Sequence, residues 1–319
     1  MRIVVLDGYT LNPGDNPWDA VSALGELTVY DRTQPSEVVE RAKEADVVLT
    51  NKTPLDSRTL GQLEKLKFIS VLATGFNVVD VEAARARNIP VSNVPEYGTD
   101  TVAQHVFAVL LTLCHRPTEH DAAVRAGEWQ ARGDFCFWKA PLTELAGLTM
   151  GVIGFGRIGR RTAELAHAMG MRVLAFDPYP SNAPDWPGFE WRDVASLCED
   201  SDVVTLHCPQ TKDNTGMVDG AFLGRMKKSG ILINAARGGL VNERDLAEAL
   251  KAGVIAGACI DVVSKEPIED DNPLLGAPNC LLTPHIAWAT QSARRRLMAT
   301  TAGNIAAFQA GRPVHVVNG

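Results

Sequence analysis

The chain has no excess of positive charge: 31 Lys+Arg stand against 38 Asp+Glu, a formal charge of −7. Its basic clusters, such as Arg294-Arg295-Arg296, are short and isolated. The electrostatic footprint needed for polyanions is missing, which argues against nucleic-acid partners. The six cysteines, Cys114, Cys136, Cys198, Cys208, Cys259 and Cys280, form no CxxC pair. Neither a zinc knuckle nor a redox dithiol is indicated, and no metal is expected. Most of them sit in apolar surroundings, as reduced core thiols of a cytoplasmic protein do. Long apolar runs are absent as well. MRIVVLDG meets a carboxylate at Asp7, too early for a secretory hydrophobic region. The longest apolar stretch, Val106–Cys114, contains Thr112 and falls well short of the ~18 residues of a membrane span. That stretch is expected to be a buried helix, with no membrane partner. No repeat, linker or low-complexity tract is present.

What is there is an ordinary globular composition, 45% hydrophobic and 22% charged over 319 residues. At roughly 100–200 residues per domain, this length predicts about two domains, each able to bury its own core. Short β-branched runs alternate with stretches of helical period: Ile3–Leu6, Val47–Leu49, Phe68–Leu72, Val91–Val94, Val152–Ile153, Val173–Phe176, Val203–Leu206, Ile231–Ile233, Ile255–Ile260 and Leu281–Leu282. Alternation of this kind predicts parallel sheets covered by helices, and near-continuous apolar strands fit burial on both faces. The helix-like segments Asp100–His115 and Thr290–Ala310 flank the central block and are expected to cross between domains. Pro178–Trp191, with four prolines, reads as a loop.

A glycine-rich turn, Gly154-Phe155-Gly156-Arg157-Ile158-Gly159, lies mid-chain after four expected strands. A bare GxGxxG is weak, because glycine turns that only pack a helix on a strand are common. Here it follows the strand TMGVI, opens a helical stretch over Arg160–Met169, and leads to RVLAF and Asp177, 18 residues past Gly159. That context is the dinucleotide fingerprint: Gly154 makes the turn, Gly156 admits the pyrophosphate, Gly159 packs the helix, and Asp177 takes the ribose hydroxyls.

Of seven histidines, His207 and His285 each follow an apolar strand. Catalytic groups of open α/β sheets gather at strand C-terminal ends, so both qualify by position. Arg237 ends ILINAARG, where a guanidinium can hold a small carboxylate in bidentate fashion. Glu266, in DVVSKEP, can hydrogen-bond an imidazole. Each alone has a plainer reading, as an ion pair, a solvated carboxylate or a satisfied histidine. Together, at three successive strand ends of a nucleotide domain, they supply the anion binder, the acid and the imidazole that reduction of a 2-oxo acid requires.

With these pieces in place, GFGRIG, INAARGGLVNERDLAEAL, DVVSKEP and TPHIAWAT, in order and spacing, resemble the D-isomer-specific 2-hydroxyacid dehydrogenases. The likeness extends to TNKTPLD, VLATGFNVVDVEAA, NVPEYGTDTVAQHVFAVLL and GEW, and TNK, DFCFW and HIAW are similar to the glycerate dehydrogenase (hydroxypyruvate reductase) branch. The resemblance implies that Arg237 grips the substrate carboxylate and carbonyl oxygen, that His285 donates the proton in reduction, and that Glu266 pairs with His285. It implies a second carboxylate cradle at Ala73-Thr74-Gly75, and cofactor contacts at Thr101, Arg157, Ile158, His207, Cys208, Pro209, Ala235 and Asp261, with Arg237 and His285 also beside the cofactor. Lys52 is a candidate for a polar substrate tail, and Trp138 and Trp288 for walls of a small substrate pocket. Cys208 and Cys259 have no role in this chemistry and read as packing. In the family, the aromatic segment Asp134–Trp138 helps build a dimer.

The expectation is therefore two doubly wound parallel-sheet α/β domains. A flavodoxin-like substrate domain comprises residues 1–99 and 287–319, and a Rossmann NAD domain comprises 100–286, with the active site between them. The expected activity is hydride transfer between NAD(H) and a short D-2-hydroxy acid, glycerate/hydroxypyruvate or glyoxylate, in a cytoplasmic homodimer. The alternatives are a non-catalytic, corepressor-like NAD(H) sensor, or a family dehydrogenase for phosphoglycerate, D-lactate, phosphite or formate. No regulatory domain is expected beyond residue 319, which weighs against phosphoglycerate.

Overall fold

The computed structural model describes residues 1–319, which form two compact units, Met1–Gly98 with Trp288–Gly319, and Thr99–Ala287. No helix is long and apolar enough to cross a membrane.

The first unit holds strands β1 (Arg2–Val5), β2 (Glu26–Val29), β3 (Val47–Thr50), β4 (Phe68–Val71) and β5 (Val91–Ser92) in the order β2-β1-β3-β4-β5. Every pairing is parallel. This is the flavodoxin-like order. VVLT of β3 and FISV of β4 are buried at every position, because helices cover both faces of a parallel sheet. The helix Gln291–Gln309 brings Leu297, Met298 and Ile305 onto one face with Ile3, Val5, Leu49 and Phe68. Phe68 stacks on Phe308 at 4.6 Å.

The second unit holds β6 (Thr149–Ile153), β7 (Arg172–Phe176), β8 (Phe189–Trp191), β9 (Val203–Leu206), β10 (Ile231–Asn234), β11 (Gly257–Ile260) and β12 (Cys280–Leu282) in the order β12-β11-β10-β9-β6-β7-β8. All its pairings are parallel. The strand order reverses between β6 and β9, and ligands bind at the carboxyl ends of strands at such a switch point. Residues 106–114 lie in the helix Thr99–His115, whose Val106, Phe107, Val109, Leu110 and Cys114 pack with Met150, Val152 and Val173.

Two strands have no counterpart in the sequence reading. β2 is an edge strand, ELTV, mostly exposed, so it lacks the apolar run that marks the others. β8 is three residues, FEW, inside the proline-rich segment expected to be loop throughout. It adds to the outer edge through Phe189 and Trp191, which join Phe155 in an aromatic cluster with ring centroids 5.1–5.3 Å apart.

Candidate active site

Apart from Thr101 and Trp138, the candidate residues of the second unit follow strands of its sheet, at its carboxyl edge. After β6, Gly154 turns the chain at φ +94°, and a Cβ there would lie 2.4 Å from the Cys208 nitrogen and 2.6 Å from the His207 carbonyl carbon. Only glycine can bring the β6 turn this close to the β9 turn. A Cβ on Gly159 would meet the Gly154 carbonyl oxygen at 2.0 Å. Gly156 differs, because a Cβ there would project into open space with nothing within 4 Å. The helix Arg157–Ala168 starts at that residue and has no acidic side chain in its first turn. An open cradle beside a helix N-terminus fits a pyrophosphate, so the residues present suit a dinucleotide. Arg157 is exposed and Ile158 half-buried at the helix start.

Asp177 follows β7. Its carboxylate accepts from the backbone N–H of Phe155 (2.8 Å) and of Tyr179 (2.9 Å). Arg160 closes over the same loop, donating to the carbonyls of Ser181 (2.5 Å) and Asn182 (2.6 Å), with its guanidinium over the Phe155 ring. The helix before it thus supplies the proline-rich loop with a cation. His207 follows β9 with Nε2 3.0 Å from Thr205 Oγ1, and burial pushes its imidazole down to about 3, so it is a neutral ring. Cys208 is half-buried and Pro209 exposed beside it, and Ala235 follows β10. The thiols of Cys208 and Cys259 are pushed up by burial. Cys259 Sγ sits 3.5 Å from the Val109 carbonyl, which is a packing environment.

Arg237, Glu266 and His285 follow β10, β11 and β12, three neighbouring strands. Arg237 is exposed and donates through Nη1 to the Ala236 carbonyl. Its turn is built by the buried Asn234, whose amide donates to the Arg237 carbonyl (2.9 Å) and whose oxygen accepts from Ala236 N (3.0 Å). The next residue, Gly238, packs so tightly on Val263 that a Cβ would lie 2.0 Å from the Val263 carbonyl. The Arg237 turn is thus pressed against the loop leading to Glu266. Glu266 Oε2 lies 2.7 Å from His285 Nδ1, with both side chains about 30% exposed.

His285 has φ +54°, a left-handed backbone rare outside glycine. Asp261 holds it there. The Asp261 carbonyl accepts from His285 N (2.8 Å), and the buried carboxylate accepts from Ile286 N (2.9 Å), Ala287 N (2.9 Å) and Thr283 Oγ1 (2.6 Å). Thr101, also buried, donates to the Ala287 carbonyl.

In the first unit, Lys52 is exposed after β3, and Ala73, Thr74 and Gly75 follow β4. Asp7 shapes the Lys52 loop by accepting from the backbone N–H of Asn51 (2.8 Å), Lys52 (2.5 Å) and Thr53 (2.7 Å). Thr74 Oγ1 donates to the Val94 carbonyl at 2.8 Å. Trp288 packs edge-on against Tyr97 at 6.1 Å beside the Ile3–Phe68 core. Trp138 belongs to the second unit, where it is 62% exposed.

Asn234 and Asp7 shape turns of these sites, and neither is assigned a role from the sequence. Asn234 and Asp7 each end an apolar strand with a short polar side chain, and that is their one local signal. No group of three or more His, Cys, Asp or Glu side chains is placed to hold a metal ion.

Residues 107–287, more than half of the chain, match the family described as D-isomer specific 2-hydroxyacid dehydrogenase, NAD binding domain. A hydroxypyruvate reductase of Blautia hydrogenotrophica is 47% identical over 321 residues, covering 100% of both chains. A glycerate dehydrogenase of Methylorubrum extorquens is 42% identical over 92% of each. Among solved structures, the TT0316 protein of Thermus thermophilus superimposes with a TM-score of 0.88 at 32% identity, over 99% of this chain and 100% of the other. With a dinucleotide cradle, a histidine–glutamate pair and these relatives, the chain belongs to the D-isomer specific 2-hydroxyacid dehydrogenases, NAD-dependent oxidoreductases.

Proposed function

We propose that the chain reduces hydroxypyruvate, or glyoxylate, to the D-2-hydroxy acid, with Arg237, Glu266 and His285 as its catalytic set. The observation that carries the chemistry is the 2.7 Å contact between His285 Nδ1 and Glu266 Oε2, beside the Arg237 turn on the sheet that carries the dinucleotide cradle. Bound NADH supplies the hydride. Arg237 binds the substrate carboxylate through its planar fork. Glu266 accepts from Nδ1–H, which orients the ring and makes Nε2 the nitrogen that delivers the proton to the carbonyl oxygen. The cofactor contacts in this reading are Thr101, Gly154, Gly156, Arg157, Ile158, Gly159, Asp177, His207, Cys208, Pro209, Ala235 and Asp261. Candidates for further substrate contacts are Lys52, Ala73, Thr74, Gly75 and Trp288.

The choice of a small polar substrate is supported by the full-length relative named hydroxypyruvate reductase and the one named glycerate dehydrogenase. A cytoplasmic homodimer completes the reading. Phe135 is 91% exposed next to the exposed Trp138, and such a patch suits self-association. The test is NADH oxidation with hydroxypyruvate, glyoxylate, pyruvate, phenylpyruvate and a branched 2-oxo acid. The first two should give the highest kcat/KM. A higher value for phenylpyruvate overturns the substrate, and failure of every 2-oxo acid despite NADH binding overturns the catalytic reading.

A further inference from the structure

His105, on the helix Thr99–His115, has a side chain only 15% exposed. Its Nε2 lies 3.2 Å from Thr283 Oγ1 and 3.5 Å from Asp261 Oδ1. Thr283 Oγ1 is in turn 2.6 Å from the same Asp261 oxygen. The direction of this chain follows from what each group can do. An ionised carboxylate only accepts. Asp261 already takes the N–H groups of Ile286 and Ala287, so it is the acceptor at the end of the chain. The threonine proton is therefore committed to Asp261. The threonine oxygen is left to accept, and His105 must carry a proton on Nε2 to donate to it.

We propose that His105, acting through Thr283, is a positioning residue for His285: its Nε2–H locks Thr283 and Asp261 into the geometry that holds residues 285–287. Asp261 supports those residues with its backbone carbonyl at His285 N and with its carboxylate at Ile286 N and Ala287 N. The strained φ of +54° at His285 persists only where its surroundings over-determine it. Without the His105 donor the Thr283 hydroxyl is free to rotate away from Asp261, and the carboxylate then loses a fixed donor. The backbone that places the imidazole then loosens.

The consequence for rate rests on the reading of His285 as proton donor, whereas the consequence for backbone order does not. The test compares wild type with His105→Phe, His105→Gln, Thr283→Val and the double variant His105→Phe/Thr283→Val. The readouts are steady-state reduction of hydroxypyruvate, NADH affinity by fluorescence, thermal midpoint, and amide hydrogen exchange at Ile286 and Ala287. In His105→Phe and Thr283→Val, kcat should fall roughly ten- to hundred-fold, as sub-ångström to ångström misplacement of a reacting group does. NADH affinity should fall by less than kcat does, and exchange at Ile286 and Ala287 should accelerate. The double variant should be no slower than its slower parent, because both changes break one chain. His105→Gln keeps an N–H at the corresponding reach and should restore most of kcat and the protection.

Wild-type exchange in His105→Phe and Thr283→Val overturns the proposal, as does a His105→Gln variant no better than His105→Phe. If wild type reduces no 2-oxo acid, the functional reading fails. The exchange measurement then still decides whether His105 orders residues 285–287. Should His105→Phe not fold, Thr283→Val and His105→Gln give the same decision.

Discussion

The Asp177 carboxylate reaches across the glycine turn and accepts a hydrogen bond from the backbone N–H of Phe155 at 2.8 Å. Its other oxygen accepts from Tyr179 N. Backbone donors therefore fix the orientation of this carboxylate at the end of β7, where it can still accept from the adenosine ribose hydroxyls. The nearby guanidinium of Arg160 is spent on the carbonyls of Ser181 and Asn182. A 2′-phosphate would meet Asp177 with no uncommitted cation from that side chain. Like-charge juxtaposition costs several kcal/mol, so kcat/KM with NADH should exceed that with NADPH by roughly a hundredfold or more. Asp177→Ser should narrow the ratio, mostly by weakening NADH. Equal efficiency of the two cofactors in wild type would show that Asp177 does not face the ribose.

Removing the imidazole should separate chemistry from binding. His285→Ala is expected to lower kcat by about 10²–10⁴-fold, the usual worth of a positioned general acid, with NADH affinity nearly unchanged. Glu266→Gln keeps a hydrogen-bond acceptor at Nδ1 but not the charge, and should cost less than His285→Ala. Arg237→Ala should raise KM for the 2-oxo acid as well as lower kcat, because it removes the carboxylate anchor. Wild-type turnover by His285→Ala would remove this residue from the mechanism.

The parts of the molecule written locally were legible in the sequence. β3 and β4 are near-continuous apolar runs because both sheet faces are covered, and the glycine motif announces itself by spacing. The histidine–glutamate partnership came from the family likeness and lies at hydrogen-bonding distance in the structure. The residues that were missed act over long sequence separations. Asp7 organises Asn51–Thr53, His105 meets Thr283, and Arg160 folds onto residues 181–182. No local pattern marks such pairs, because the fold alone brings them together. β2 was invisible for a different reason: an edge strand facing solvent has no need of an apolar run.

Acid should find a weak point at His207. Burial pushes this imidazole down to about 3, against an ordinary 6.5. Between those values the unfolded chain binds a proton that the folded chain refuses, so stability rises with pH through the window and is lost as pH falls below about 6.5. One such group costs on the order of 2 kcal/mol between pH 6.5 and 5. His207→Gln cannot take up that proton, so urea midpoints measured at the two pH values should fall less for the variant than for wild type. Parallel losses would mean that His207 titrates alike in the folded and unfolded chains.

The two leading glycines of GFGRIG should fail in opposite ways when a methyl group is added. Gly154 combines φ +94° with backbone atoms of His207 and Cys208 within 2.4–2.6 Å of any Cβ. Gly154→Ala must push the β6 and β9 turns apart, and strain of that kind costs roughly 1–3 kcal/mol or more. Its thermal midpoint should drop by several degrees, and NADH binding should suffer with it. Gly156 has ordinary backbone angles and nothing within 4 Å of its Cβ position, so Gly156→Ala should fold with an unchanged midpoint. Its methyl group would stand in the cradle at the helix N-terminus, where the pyrophosphate must approach the backbone closely. NADH affinity should therefore fall by at least about tenfold, the equivalent of ~1.4 kcal/mol. A calorimetric titration beside a thermal melt decides the matter. Undiminished NADH binding by a stable Gly156→Ala protein would place the dinucleotide somewhere other than this cradle, whatever happens to Gly154→Ala.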